Sequence, residues 1–178
     1  MSGHSHWSGI KHKKEITDKK RAVLFSKLLN AVAIAAKNEP NPQFNPRLRT
    51  VIEKAKANNV PLANIERAIK KAAETKDLEE LIIEAYGPAG AAIIINAVSD
   101  NKNRTISEIR KILADNNAKI AEPGSVIWSF EQPPASSENQ EWRPKFKQTI
   151  NPEDKNKLDT LIQELEERDD IQKVYTNM

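Results

Sequence analysis

The chain has 178 residues, with 28 basic and 25 acidic side chains, 38% hydrophobic residues and no cysteine. This length permits one or two small domains with real cores, and the lack of cysteine excludes disulfides, thiolate metal sites and a cysteine nucleophile. The longest mostly apolar run, residues 90–98, falls far short of the ~18 residues of a membrane span. No apolar core of a secretory signal follows the N-terminal charges, so a soluble, cytoplasmic chain without membrane contact is expected.

Residues 1–12, Met-Ser-Gly-His-Ser-His-Trp-Ser-Gly-Ile-Lys-His, are rich in Ser, Gly and His and read as a basic N-terminal tail. Residues 13–75 read as a helical domain. A first helix is predicted over 13–37, with the apolar stripe Phe25, Leu28, Leu29, Val32 and Ala36. After a proline-rich loop, Asn45-Pro46 opens a second helix, with asparagine as cap and proline at the first helical position, where its missing N–H costs nothing. Leu48, Val51, Ile52 and Ala55 form its stripe, and Asn58-Asn59-Val60-Pro61 ends it. Ile65, Ala68, Ile69 and Ala72 repeat the spacing in a third helix, so the three make a small bundle.

From residue 76 the hydrophobic period changes. Residues 81–86 and 91–98 read as strands joined by the turn Gly87-Pro88-Ala89-Gly90, and Thr105-x-x-Glu108 reads as a capping box opening a helix. Residues 125–130 read as a third strand, Asn151-Pro152 caps a last helix, and 171–175 reads as a closing strand. The order ββαβαβ predicts an antiparallel sheet with two helices on one face over 76–178, interrupted by a loop at 131–149. The fold class is therefore α+β, with a three-helix N-terminal domain.

The net charge of +3 hides an asymmetry: residues 1–75 hold 15 basic and 6 acidic side chains, and residues 76–178 hold 13 and 19. Lys13, Lys20 and Lys27 recur every seven residues and share a helix face, while Lys11, Lys14 and Arg21 make the start of that helix basic nearly all round. Arg47 aligns with Lys54 and Arg49 with Lys56; Arg67, Lys70 and Lys71 lie opposite the third stripe. Long cationic arms on rigid helices can follow a phosphate backbone, and each neutralised phosphate releases condensed counterions. A solvated face is the common alternative for one such helix, but three together point to nucleic acid. Trp7, beside His12 in the basic tail, suits stacking on an unpaired base or docking on the folded body. Residues 100–104 offer Asn101, Asn103 and Arg104 as polar contacts, or form a capped strand-to-helix turn.

Catalytic readings are weaker. All three histidines lie in the first twelve residues, no nucleophile elbow is visible, and the five glycines spell neither GxxxxGK[ST] nor GxGxxG. His4, His6 and His12 lack the fixed partners a zinc site needs. The acidic run Glu164, Glu166, Glu167, Asp169 and Asp170 fits the solvated end of an amphipathic helix better than a metal site. No catalytic residue, metal or cofactor is expected.

Several motifs in order resemble the YebC family: Gly3-His4-Ser5 with Trp7 and Ile10-Lys11-His12; Asn45-Pro46-Arg47-Leu48-Arg49; Asn64-Ile65-Glu66-Arg67-Ala68-Ile69-Lys70-Lys71. Tyr86-Gly87-Pro88, Asp100-Asn101-x-Asn103-Arg104-Thr105, Gly124-Ser125-Val126-x-Trp128-x-Phe130 and the final Asp169–Asn177 segment extend the match over about residues 2–130 and 142–178. The resemblance implies a helical N-terminal domain followed by two α+β domains, the third inserted in the second, without known catalytic activity. It implies DNA-binding transcription regulators, with some members acting in translation on the ribosome. This chain departs from the pattern after Phe130, where most of the inserted third domain is missing. His6 stands where lysine is usual, Ala89 replaces a glycine, and Pro123 precedes Gly124. The signature begins at residue 2, so an organellar import leader is not expected.

Together these readings predict a monomeric, non-enzymatic regulator of gene expression that binds ribosomal RNA through the helical half. Ribosomal proteins are further contacts for the acidic half. DNA-binding transcription control is the alternative, and a protein-interaction module with a merely solvated basic face is the second; a nuclease ranks third. The diffuse basic surface, without a recognisable DNA-reading module, favours folded RNA.

Overall fold

The structure, a computed structural model, describes residues 3–74, 78–132 and 141–178, with the side chains of residues 3–13, 73 and 74 outside the description. In chain order the elements are α1 (Gly3–Ala36), α2 (Pro46–Ala57), α3 (Leu62–Glu74), β1 (Glu79–Tyr86), β2 (Ala92–Ser99), α4 (Lys102–Asp115), β3 (Lys119–Ile120), β4 (Phe130–Glu131), β5 (Arg143–Pro144), α5 (Pro152–Glu166) and β6 (Ile171–Thr176).

The three predicted stripes meet in one core. Leu28, Val32 and Ala36 of α1, Leu48 and Ala55 of α2 and Ile65 and Ala72 of α3 are buried together around Val60. Asn45 caps α2 as predicted, accepting the Leu48 N–H at 2.9 Å. Its amide also donates to the Ala35 and Glu39 carbonyls at 2.7 Å, which fixes the end of α1 against the start of α2. The reading of residues 1–12 as an irregular tail is corrected: the helix begins at Gly3. No proline interrupts the chain before Pro40, and Gly9 costs only about 1 kcal/mol relative to alanine inside a helix.

The second half folds round a four-stranded sheet of order β3-β1-β2-β6, antiparallel throughout. One face is covered by α4 and α5: Ile83, Ile93 and Ile95 of the sheet meet Ile109 and Leu113 of α4 and Leu158, Leu161 and Leu165 of α5. The opposite face, carrying Ala92 and Ile94, is covered by Ala121, Val126, Phe130 and Trp142. Here β4 and β5 pair as a separate two-stranded ladder, Phe130 opposite Pro144 and Glu131 opposite Arg143. The eleven residues between β4 and β5 are too few for a folded domain. At the β1–β2 turn a Cβ on Gly87 would come within 2.8 Å of Ile93 Cδ1, and Ala89 holds a left-handed φ of 54°.

Two local expectations are corrected. Helix α4 is opened by Asn101, whose side chain accepts the Arg104 N–H, and not by a Thr105 capping box. Thr105 is instead buried, its hydroxyl donating to Asp170 and receiving a bond from Ser99 at 2.8 Å. The strand predicted over 125–130 is mostly a tight turn, and the third strand of the sheet is β3. The cause lies on β1. Glu84, only 8% exposed, accepts the N–H groups of Gly124 at 2.6 Å and of Val126 and Ile127 at 2.7 Å. Those donors are then unavailable to a ladder.

Burial alone would raise the Glu84 pKa, but the three backbone donors outweigh it and hold the carboxyl below its usual 4.5. A depressed carboxylate stabilises the fold fully above that usual value, and the contribution is lost as pH falls through the folded-state value. Glu84→Ala removes the acceptor of three backbone donors, that of buried Val126 among them, and is expected to cost about 3 kcal/mol at pH 7, read as roughly 6–12 °C in Tm. The difference from the parent chain shrinks in urea titrations below pH 4.5. A variant as stable as the parent at pH 7 contradicts the clamp.

Candidate nucleic-acid interface

The helical half presents the predicted cations on three elements. Lys14 and Lys20 are exposed on α1, Arg21 is exposed with its guanidinium 5.2 Å from the centre of the Phe25 ring, and Lys54 and Lys56 are exposed on α2. Arg67, Lys70 and Lys71 are exposed on α3 and form no ion pair among the described residues. Trp7, Lys11, His12 and Lys13 lie on the first turns of α1, and their side chains are outside the described residues.

Four of the predicted cations have structural partners. Arg47 pairs with Glu80 at the start of β1, and Arg49 donates to the Pro42 and Gln43 carbonyls at 2.8 and 3.0 Å, closing the loop before α2. Arg104 pairs with Asp100 at 2.6 Å, both more than half exposed. Lys27 is half-buried and donates to the Glu166 carbonyl at 2.5 Å. That carbonyl belongs to the last turn of α5, where helix geometry leaves acceptors without intrahelical donors and a cation is favoured. Burial pulls the Lys27 ammonium below its usual value, opposed by the charges of Glu166, Asp169 and Asp170.

Asn30, one turn further along α1, donates to the Asp169 carbonyl at 3.1 Å. The Asp170 carbonyl accepts the Val98 N–H at 2.8 Å, and its carboxylate holds Thr105 and Arg168. The α5–β6 turn thus joins α1, the end of β2 and the start of α4. Asp170 therefore has a structural task that the reading of a solvated acidic run does not include. Glu164, from the same run, accepts from Asn116 at 2.7 Å.

At this junction lies a groove of about 480 Å³. Its lining combines apolar Leu29, Ala68 and Val98 with the cations Arg67 and Lys71 of α3 and Arg104 of the β2–α4 turn, and with the carboxylates of Asp100, Asp169 and Asp170. Predicted residues from the two halves of the chain thus meet around one cavity. Asn101 serves as a helix cap, and Asn103 is exposed on the first turn of α4. Sequence reasoning missed Asn30 and Asn64 at the rim. Asn64 was within reach of it, because Asn64, Arg67 and Lys71 share a helix face by spacing. Asn30 was not, since its partner is 139 residues away.

A basic three-helix lobe joined by a polar groove to an antiparallel α+β lobe is the class of protein that the fold and site define. The chain belongs to the TACO1/YebC family: residues 5–75 match the TACO1/YebC protein N-terminal domain, and residues 78–136 and 133–178 match the TACO1/YebC second and third domain. A relative from Aquifex aeolicus (strain VF5), named "Probable transcriptional regulatory protein", is 48% identical over 136 residues, covering 74% of this chain and 55% of the relative. One from Pelodictyon phaeoclathratiforme, with the same name, is 49% identical over 138 residues, covering 74% and 54%. The chain spans about half the length of the curated relatives it matches. The crystal structure of the conserved hypothetical protein Aq1575 from Aquifex aeolicus superposes with a TM-score of 0.81 at 32% identity, covering 89% of this chain and 90% of that one. Among the described residues no helix is long and apolar enough to cross a membrane.

The junction is testable by itself. Lys27→Met keeps the apolar stem and removes the bond to the α5 terminus. It is expected to lower stability in urea by about 1 kcal/mol, given the half-exposed position. A midpoint unchanged from the parent chain contradicts a stabilising role for this contact.

Proposed function

We propose that this protein is a non-enzymatic regulator of gene expression that acts by binding RNA, with the ribosome as its target. The observation that carries the reading is the set of exposed cations on α1, α2 and α3, of which Lys56, Arg67, Lys70 and Lys71 have no acidic partner among the described residues. Lys14, Lys20 and Arg21 extend this surface toward Trp7, Lys11, His12 and Lys13, and Lys54 continues it on α2. Cations left unanswered within the fold are free to displace counterions from phosphates. The groove sets Arg104, which is paired with Asp100, beside Arg67 and Lys71, and Asn103 stands next to it in sequence. Lys27, Arg47 and Arg49 serve the fold first.

The helices of a diffusely basic bundle suit the irregular phosphate surface of folded RNA better than the regular grooves of an operator. The acidic α+β lobe then positions the basic lobe and can meet basic proteins of the same particle. The names of the relatives favour regulation of transcription, and the second reading is that this regulation works through DNA.

Sedimentation of cell extract through sucrose at low salt separates the two. The protein is expected to travel with ribosomal particles, and Arg67→Glu combined with Lys71→Glu is expected to return it to the top of the gradient. A protein that stays at the top, yet shifts one promoter fragment in preference to competitor DNA, overturns the ribosomal reading and leaves the transcriptional one.

A further inference from the structure

A second basic surface lies on the acidic half of the chain, on the side of the sheet away from α4 and α5. It is built on the β4–β5 ladder. The Lys145 N–H donates to the Ser129 carbonyl at 2.9 Å, which carries the pairing one step past Phe130 and Pro144. Just beyond that pair each segment bears an exposed aromatic side chain, Trp128 at 61% and Phe146 at 65%. The chain has only nine aromatic residues of the Phe, Trp and Tyr types, so two largely exposed ones beside one short ladder are costly in apolar exposure.

Trp128 is held in place and not merely left out of the core. Its indole N–H donates to the Ser125 carbonyl at 2.8 Å, and its own carbonyl accepts the Lys145 ammonium at 2.9 Å. The Glu84 clamp fixes the turn that carries it. With its polar atom satisfied, what the residue offers outward is the ring. The Lys145 ammonium lies against Trp128, and Arg143 and Lys147 belong to the same segment as Lys145 and Phe146, all three cations being exposed. The nearby carboxylates are Glu131, opposite Arg143, and Glu141, which is engaged by Lys173. Cations therefore outnumber free carboxylates here. The charge of Lys54 on α2 reaches Glu141 as well, which places this patch within electrostatic range of the helical lobe.

We infer that Trp128 and Phe146, flanked by Arg143, Lys145 and Lys147, form a stacking platform for unpaired bases of single-stranded RNA. Fixed aromatic faces take any base, and interleaved cations follow the backbone. This site rests on the reading of the chain as an RNA binder and is separate from the α3 groove.

The test uses a fluorescein-labelled ten-nucleotide oligouridylate, which has no secondary structure, with the full chain. In a Trp7→Phe background, oligouridylate is expected to quench the tryptophan emission, because Trp128 is exposed and Trp142 is only 6% exposed. Trp128→Ala is expected to weaken binding by roughly 5- to 100-fold, Phe146→Ala by a smaller factor, and Trp128→Phe to restore most of the affinity. Unchanged thermal midpoints show that the variants fold. Oligouridylate binding equal in the parent chain, Trp128→Ala and Phe146→Ala overturns the platform while leaving RNA binding by the helices intact. Absence of RNA binding by the parent chain overturns both. A concentration-dependent dimer that Trp128→Ala dissolves assigns the patch to a second copy and overturns the platform.

Discussion

The two lobes form one object because α1 is tied to the turn between α5 and β6. Lys27 and Asn30 project from successive turns of α1 and donate to main-chain carbonyls of Glu166 and Asp169. Lys37, near the far end of the helix, donates to the Leu78 carbonyl at 2.5 Å, just before β1. The donors are side chains of the basic lobe and the acceptors are backbone groups of the acidic lobe. The carbonyl of Glu166 is one that a helix end leaves unsatisfied, so the contact stabilises α5 and joins the lobes at once. The groove at the junction exists only while this seam is closed, since α3 supplies one wall and the β2–α4 turn the other.

Local chemistry was readable from the chain, while distant partnerships were not. Asn45 and Asn151 both cap helices with a proline behind them, and both follow from sequence because a cap is decided within four residues. The apolar stripes of α1, α2 and α3 predict the first core, and the short apolar runs on either side of the Gly87–Gly90 turn predict β1 and β2. Two of the failures share a cause. Glu84 reaches residues 40 positions and more away and converts a β-like run into a turn, and Asp170 reaches back 65 positions to take Thr105 from its capping role. No window of local periodicity contains such pairs. The early start of α1 failed differently, because composition argued against a helix that the backbone tolerates.

The candidate site shows the same division. Helical spacing predicts that Arg67 and Lys71 share a face, but only the fold brings Arg104 to them. Charge count cannot tell a cation that awaits a phosphate from one that already has a partner. Arg47, Arg49 and Lys27 look like Lys56 and Lys70 in sequence, yet they hold Glu80, the loop before α2 and the end of α5. Trp128 lies in a run that reads as a strand and stands instead on a tight turn with its ring exposed. The acidic half is thus uneven: Glu84 and Asp170 serve the fold, and a basic strip lies on its outer face.

The central claim is that the unanswered cations of the helical lobe engage phosphates. Its most direct test is the salt dependence of binding between the full chain and a folded ribosomal RNA fragment. Six to ten engaged phosphates require affinity to fall by about 10³–10⁵ between 50 and 200 mM salt. A steep linear decline of log affinity against log salt is the predicted result. Flat binding over that range, or none at the lowest salt, contradicts the account.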